Sequence, residues 1–431
     1  MKLISHAIRV ALVAGLCSSA AVQAGSLEEI YRKALNNDPQ LKAAQANYRA
    51  DKEALPQAKA GLLPSVNAQA QTGHVDSDTA SGDSSYNTNG YTVSLVQPVF
   101  SAAKWQTYQQ GKVLDEQAQL RLDQAQQALI LRTIESYLNV LRAQSNLDTA
   151  QAQVRAIKRR LDQVNAQFDV GLIAITDVHE AQASYDNARV SQIEAEGALD
   201  NSYEALERLI GEPVDNLDQL AADYPIQALS PAEPQPWLKK ALQDNLSLRV
   251  AASNVEVARR SAKIAKAGHL PTVDLNASHG ETNALNDVKT SQIGLTLSVP
   301  LYQGGAISSR SRQNYALLDA SMQTQEDTLR AVRQTTRSLL RDLKTNVLSV
   351  AARQQSIVSS EAALKATSEG FNVGTRNVVD VLQAEQALYA AQRDYASARF
   401  DYVLNLFTFK QQIGTLNPDD IYALDEWLIA N

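Results

Sequence analysis

The sequence predicts an α+β membrane protein made of two internal repeats, each with paired β-strands and long helices. The first observation is a duplication: Ala58–Val66 recurs as Ala265–Val273 with seven of nine residues identical, and Phe168–Val178 recurs as Phe371–Val381 with five of eleven. The offsets of 207 and 203 residues are far longer than a solenoid period. One large unit was therefore duplicated. The other two observations are segments of alternating apolar and polar residues and long helical runs without proline.

Residues 1–24 have the features of a secretory signal. Lys2 and Arg9 form a basic start, residues 10–16 are apolar, and small residues precede a cleavage site before Gly25. Removal of this segment changes the formal net charge from −7 to −9, which disfavours a nucleic-acid partner. It also removes Cys17, the single cysteine, so we expect neither a disulfide nor a thiolate metal site.

Each copy contains two segments in which apolar and polar residues alternate, as in a strand with one apolar face. At about ten residues, each has the length of a tilted membrane-spanning strand. The hairpins are predicted at about residues 64–100 and 271–302, with polar loops at His74–Gly90 and His279–Thr290. The same alternation is also typical of a half-buried hairpin in a soluble protein.

Two long helical runs follow the strands, from Ala102 to about Gln167 and from about Ala306 to Gly370. Neither contains a proline, and each would extend roughly 100 Å at 1.5 Å per residue. Apolar residues recur at coiled-coil spacing, as at Leu131, Ile134, Leu138 and Leu141. Helices of this length must pack on neighbours along their whole length.

Each long helix is predicted to end in a tight turn, at about residues 168–177 and 371–377. Gly171 and Gly374 fit the left-handed position that follows a helix, and Thr176-Asp177 and Asn377 are polar groups suited to capping the next helix. The returning helices should end at Gly211 and Gly414. The predicted division is therefore a first repeat at 25–211, a proline-rich linker at 212–236, a second repeat at 237–414 and a tail at 415–431.

This arrangement resembles the TolC family of outer-membrane efflux and type I secretion channels. The resemblance rests on Val170–Asp177, Val373–Leu382 and Gly414–Asn417, and it covers essentially the whole mature chain. It implies a homotrimer in which four strands per chain form one 12-stranded β-barrel, continued by a helical tunnel in the periplasm of a Gram-negative bacterium. Pooling of strands is physically required, because an open sheet edge in lipid leaves backbone groups unpaired.

The resemblance implies a passive exit duct without cofactor or metal. Its partners would be outer-membrane lipid, a periplasmic adaptor protein and an inner-membrane pump of the RND, MFS or ABC type. No enzyme motif is complete: His179-Glu180 could begin a zinc-protease motif, but Ala183 stands where the second histidine is needed. The alternative is a soluble periplasmic coiled-coil adaptor or scaffold, which would have a single helical hairpin.

The resemblance also implies a gate at the second tip. Asp380 matches an aspartate ring at the pore constriction, while Gln383 replaces the acidic residue of a second ring. Arg376 matches an arginine that latches the closed entrance to Thr176 and Asp177 of the neighbouring hairpin. Without a role in the gate, Asp380 would be a solvated helix residue and Arg376 would form an ordinary surface ion pair.

The tips also differ from the family pattern at two positions, and they contain residues that match an adaptor-docking surface. Phe371 replaces a tyrosine whose hydroxyl joins the latch, so together with Gln383 it predicts a less cation-selective and more easily opened entrance. The residues that match the adaptor-docking surface are Gly171, Leu172, Gly374 and Thr375. A plain helix C-cap explains the two glycines equally well.

Overall fold

The computed structural model describes residues 25–80, 82–283 and 287–430; the predicted signal segment lies outside the described residues. The first repeat begins with three short helices. It continues with two strands and two long helices, in the order α1 (Leu27–Asn37), α2 (Pro39–Lys52), α3 (Ala54–Ala60), β1 (Ser65–Thr79), β2 (Gly82–Ser101), α4 (Ala102–Asp169) and α5 (Ile175–Ile210).

The second repeat has the same order of elements, except that one helix, α7 (Leu246–Ala267), takes the place of α2 and α3. After the short strand β3 (Gln219–Leu220), it comprises α6 (Pro234–Asp244), α7 (Leu246–Ala267), β4 (Thr272–Asn283), β5 (Asp287–Ser298), α8 (Ala306–Asn372) and α9 (Val378–Gln412). A C-terminal segment adds α10 (Asp419–Asp425) and β6 (Leu428–Ile429). In the described part of the chain, no helix is long and apolar enough to cross a membrane.

Local sequence signals explain where the first helices begin and end. The Ser26 hydroxyl accepts the Glu29 backbone N–H at 3.2 Å and starts α1, and the Asp38 carboxylate accepts that of Leu41 at 2.9 Å and starts α2. The break between α2 and α3 falls at Glu53, three residues before Pro56. Because proline lacks an N–H, it cannot bond to the carbonyl four residues back, at Lys52.

The four long strands form one antiparallel sheet in the order β1-β2-β4-β5. The predicted loop at His74–Gly90 is wrong, because β1 and β2 stay paired as far as Thr79 and Gly82. Polar side chains bond across the strands there, as between Thr72 Oγ1 and Asn89 Oδ1 at 2.6 Å. Such pairs stabilise a ladder in place of apolar contacts. The predicted loop at His279–Thr290 is likewise mostly strand.

The sheet has an irregularity in β2, close to α4, and its two outer strands are β1 and β5. β2 carries a register shift between Pro98 and Phe100 just before α4, as expected for a proline that cannot donate to the ladder. β1 and β5 are the outer edges. Apolar side chains along β5 are exposed in the single chain, with Ile293 76%, Leu295 68% and Leu297 64% accessible.

The long helices lie side by side below the sheet. α4 packs against α5 and α9, and α8 packs against α9, so α4 and α9 join the two repeats. α5 and α8 consequently form the outer edges of this helical layer. Nearer the sheet, α7 lies between α4 and α8.

Most of the hydrophobic core lies midway along the helices, where the linker and the C-terminal tail meet them. Tyr137 is fully buried, and its hydroxyl donates to the backbone oxygens of Asp218 (2.9 Å) and Gly25 (3.2 Å). Burial raises the pKa of Tyr137, which keeps this hydroxyl a donor. The Asp425 carboxylate accepts the Leu27 backbone N–H at 2.7 Å, and β3 pairs with β6. The C-terminal tail therefore binds both the start of α1 and the linker at this level of the helices.

Candidate functional site at the helical tips

The two tips have the same backbone turn. Gly171 and Gly374 have φ values of +73° and +76°, the left-handed conformation predicted for them. In the first tip, the N–H groups of Gly171 and Leu172 bond back to the end of α4 at 2.8 and 2.9 Å. Gly374 and Thr375 make the corresponding bonds to α8 at 3.1 and 2.8 Å. Both turns are Schellman motifs, in which glycine avoids the steric penalty of a Cβ.

The helices that return from the two tips begin differently. The Asn377 side chain accepts the Asp380 backbone N–H at 2.8 Å, so the cap predicted for the second tip is confirmed. In the first tip the prediction is wrong. The capping position is Ala174, which has no side-chain acceptor, and Thr176 and Asp177 lie inside the first turn of α5.

Gly370 shapes the second tip and was missed in the sequence. Its carbonyl accepts the backbone N–H of Thr375 at 2.8 Å and that of Arg376 at 3.2 Å. A Cβ at this position would lie 2.8 Å from Cγ of Arg376, so the glycine leaves room for that side chain to fold over the helix end. The sequence signal is a glycine immediately before the repeated motif that begins at Phe371, where the first repeat has Gln167.

Arg376 lies beside Asp380 in the same chain. Its Nη1 is 3.7 Å from Asp380 Oδ2, and the Arg376 side chain is 62% exposed. Thr176 is exposed and Asp177 half-buried on the other tip. Among the described residues of one chain, Arg376 forms no hydrogen bond or ion pair with either of them. The structure thus brings together Arg376 and Asp380, and leaves most of the guanidinium accessible.

The predicted constriction residues lie on the first turns of α9. Asp380 is half-buried and Gln383 is exposed, whereas the neighbouring Val381 and Leu382 are buried. Leu382 packs in a small apolar cluster that holds the ends of α4, α5 and α9 together. Asp380 and Gln383 are one turn apart, so the two side chains share one side of the helix.

A buried ion pair lies below the second tip and was also missed. Arg160 Nη2 on α4 is 3.1 Å from Glu385 Oε1 on α9, with the two side chains only 13% and 7% exposed. Arg160 also donates to Ser368 on α8 at 3.3 Å. Burial raises the pKa of Glu385, and the Arg160 charge opposes this shift. The pair joins both repeats near the tip.

Phe371 packs against this ion pair. Its ring centroid lies 5.8 Å from the Arg160 guanidinium carbon, and the ring contacts the apolar cluster of the tips. Phe371 therefore contributes packing and a cation–π contact, where a tyrosine would also offer a hydroxyl.

Both turns present exposed apolar side chains next to the exposed glycines. Val170 is 70% exposed, Leu172 73% and Val373 75%. These turns leave a small apolar surface at the end of each helical hairpin. In the part of the chain that the structure describes, no group of three or more His, Cys, Asp or Glu could hold a metal ion.

Comparison with known proteins identifies the family. A sequence model described as outer membrane efflux protein matches residues 30–212 and 237–415 of this chain. The chain belongs to the outer membrane efflux protein family. The two matched segments contain the two structural repeats of this efflux protein, each with its pair of strands and its helical hairpin.

Relatives extend along nearly the whole efflux protein. Outer membrane protein TolC of Vibrio cholerae is 36% identical over 419 residues, 95% of each chain. Alkaline protease secretion protein AprF of Pseudomonas aeruginosa is 30% identical over 407 residues, 91% of this chain and 85% of the relative. Among solved structures, the crystal structure of CusC, a protein that forms a transmembrane channel, matches with a TM-score of 0.82 at 15% identity. The match covers 91% of this chain and 92% of the CusC chain.

These matches confirm the resemblance to the TolC family and the α+β fold with two repeats. The efflux protein is an outer-membrane exit duct of the type that serves efflux and type I secretion.

Proposed function

We propose that three copies of this chain assemble into one duct, after cleavage of the signal before Gly25. The supporting observation is the open four-stranded sheet, whose β1 and β5 edges have no partner strand among the described residues. Four strands are too few to close a barrel, and lipid does not satisfy an unpaired edge. Pairing of β5 with β1 of the next copy closes a 12-stranded barrel and turns its exposed Ile293, Leu295 and Leu297 toward lipid.

The helical layer continues the duct into the periplasm as a tunnel that ends at the six tips. Asp380 from three copies forms a ring that attracts cations, with the uncharged Gln383 one turn beyond. Arg376 latches the closed entrance to Thr176 and Asp177 of the adjacent hairpin. Its exposure and its long contact with Asp380 support this role, because little must be broken to redirect it.

The duct is a passive conduit and not an enzyme. A periplasmic adaptor docks on the tip surface formed by Gly171, Leu172, Gly374 and Thr375, and an inner-membrane pump of the RND, MFS or ABC type supplies energy. The exposed Leu172 and the small residues beside it support this docking, because they permit close approach of another helix.

The assembly is tested with protein extracted from outer membranes in detergent. We expect a trimer that migrates as one species on unheated gels and as a monomer after heating. In planar bilayers the purified trimer should conduct ions. A stable monomer that does not enter bilayers would contradict the proposal.

The gate is tested by conductance of single trimers. Asp380→Asn should lower the preference for cations, and Arg376→Ala should increase conductance by removing the latch. Gln383→Asp is the matched gain of charge and should raise the cation preference. A closed, strongly cation-selective pore that is unchanged in Asp380→Asn would exclude the ring.

A further inference from the structure

Two helices of the tunnel layer have a free side. α5 packs mainly on α4, with smaller contacts to α1 and α9, and α8 packs on α9, on α6 and, nearer the sheet, on α7. The sides of α5 and α8 that face away from these helices lie at the outer edges of the chain. In a ring of copies, α8 of one copy must meet α5 of the next. The side chains on these two free sides therefore determine how neighbouring copies fit together.

The free side of α8 is basic. Arg337, Arg341, Lys344 and Leu348 follow one another at intervals of four, three and four residues, which places them on one side of the helix, away from its buried residues. All four are exposed, and Leu348 is 64% accessible. Within the described residues of one chain, none of the three cations forms an ion pair.

The free side of α5 is acidic. Ile193, Asp200, Glu204 and Glu207 are spaced by seven, four and three residues, again on one side of a helix. Ile193 is 61% accessible, Asp200 and Glu204 are exposed, and Glu207 is half-buried. None of these carboxylates has an ion-pair partner in the described part of the chain. Each helix thus presents three unpaired charges of one sign and one apolar side chain.

The internal repeat supplies the relative height of the two helices. Arg142 Nη2 on α4 is 2.7 Å from Asp401 Oδ1 on α9, which fixes the level at which the two repeats meet inside one chain. The equivalent tip glycines, Gly171 and Gly374, are 203 residues apart. This offset carries Arg142 to Thr345 on α8 and Asp401 to Ala198 on α5. In a closed ring of near-equivalent units, these two positions lie level across neighbouring copies.

The opposite charges match in height when measured from that level toward the sheet. Lys344 lies one residue away and Asp200 two. Arg341 lies four residues away and Glu204 six.

The residues at the two ends of the α8 and α5 series also match in height. Arg337 lies eight residues away toward the sheet and Glu207 nine, while toward the tip Leu348 lies three residues away and Ile193 five. At 1.5 Å per residue, every pair is level to within about 3 Å. Opposite charges are thus level in three successive pairs, and the apolar pair continues the series toward the tip.

We propose that α8 of one copy binds α5 of the next through a ladder of ion pairs, Lys344–Asp200, Arg341–Glu204 and Arg337–Glu207, with Leu348 packed on Ile193. This interface rests on the proposed trimeric duct and deepens it, because it names the helices and the register that hold the copies together. It also gives directionality: two α8 sides or two α5 sides repel, so copies join only head to tail around the ring.

Thiol cross-linking tests the register. The mature chain has no cysteine, so Leu348→Cys/Ile193→Cys introduces the only thiols. In membranes, a short bismaleimide should link three chains covalently at high yield. The matched control, Leu348→Cys/Glu207→Cys, places the thiols about twelve residues apart in height and should give no linked trimer. Linking in the control, or none in the test pair while heat-sensitive trimers form, would overturn the ladder but leave the duct intact. Absence of trimers in the unmodified protein would instead contradict the proposed function.

Charge reversal tests the ladder itself. Arg337→Glu/Arg341→Glu/Lys344→Glu should reduce trimer recovery by about tenfold or more, since each rung becomes repulsive. Asp200→Lys/Glu204→Lys/Glu207→Lys should do the same, although it changes the net charge in the opposite direction.

The six substitutions together are the matched control. They restore both the complementarity and the original net charge, so recovery should return to within about twofold of the unmodified protein. Undiminished trimers in both triple variants would refute the ladder, as would a combined variant no better than its parents.

Discussion

The first tip and the second tip share one backbone and differ in nearly every side chain after the glycine. Both close a long helix with a Schellman turn at Gly171 or Gly374. The first then continues with Leu172–Ala174, which offers no cap and no charge, and the second with Thr375–Asn377, which offers a cation and a cap. Duplication thus preserved the turn that both hairpins need. The arginine and the asparagine cap are present in one copy only, which suits the proposed latch between unlike neighbouring hairpins.

The difference continues below the tips. Arg160 and Glu385 form a buried ion pair between α4 and α9 inside one chain. In the proposed trimer, the repeat offset places Ala363 and Gln182 at the equivalent positions between neighbouring copies. The contact inside a chain is therefore fixed by a buried charge pair, while the equivalent contact between chains lacks one. Movement at the entrance should occur first between chains.

The largest expected effect comes from breaking that buried pair. Arg160→Met leaves Glu385 buried without its cation, which should lower the free energy of local opening by about 2–3 kcal/mol. Amide exchange in the adjacent turns of α4 and α9 should become roughly 30- to 150-fold faster. The matched control is Arg160→Met/Glu385→Leu, which removes both charges and should exchange nearly as slowly as the unmodified protein.

The effect of Arg160→Met should depend on pH. Burial disfavours the charged form of Glu385 and therefore raises its pKa in the folded chain. The loss of stability should be full at neutral pH and shrink as acidification protonates Glu385. An equal loss at all pH values, after correction for intrinsic exchange, would show that packing and not charge is responsible.

Substituting the turn glycines should have similar effects in both tips. Gly171→Ala and Gly374→Ala each force a Cβ into a left-handed residue, which should destabilise the local turn by about 1–2 kcal/mol. Exchange of the turn amides measures this. Gly197→Ala, inside α5 with open space around it, is the control and should be neutral or slightly stabilising. Unequal losses would mean that the two backbones are not equivalent.

The sequence predicted what depends on local rules. The left-handed glycines, the Asn377 cap and the long helices follow from residues within a few positions of one another. The Arg160–Glu385 pair joins residues 225 positions apart, and no local pattern marks either partner. The same applies to Tyr137, which reaches the linker and the N-terminus.

Two local predictions failed for physical reasons that the sequence pattern does not reveal. The polar segments beyond His74 are strands, because cross-strand hydrogen bonds between side chains replace apolar contacts there. Thr176 and Asp177 do not cap α5, because the helix begins two to three residues earlier than their polarity suggested, after Ala174.

Exchanging the caps should move stability from one tip to the other. Asn377→Ala removes the bond to the Asp380 N–H and should destabilise the start of α9 by about 1 kcal/mol. Ala174→Asn supplies the missing acceptor and should slow exchange in the first turn of α5 by a comparable factor. If Ala174→Asn has no effect while Asn377→Ala does, the two helix starts differ in geometry as well as in side chain.

The smallest effect on stability should come from the exposed pair of the second tip. Arg376→Gln removes a 3.7 Å contact between largely accessible groups and should change local stability by no more than about 0.5 kcal/mol. Ile173→Gln is the change at the equivalent position of the first tip, where it loosens packing on the apolar cluster without removing a charge. Because Arg376 is the cation of the proposed latch and Ile173 takes no part in it, conductance should rise in Arg376→Gln and stay unchanged in Ile173→Gln. Equal conductance changes in both variants would mean that loosening either tip opens the entrance, and that the divergence between the repeats serves stability and not gating.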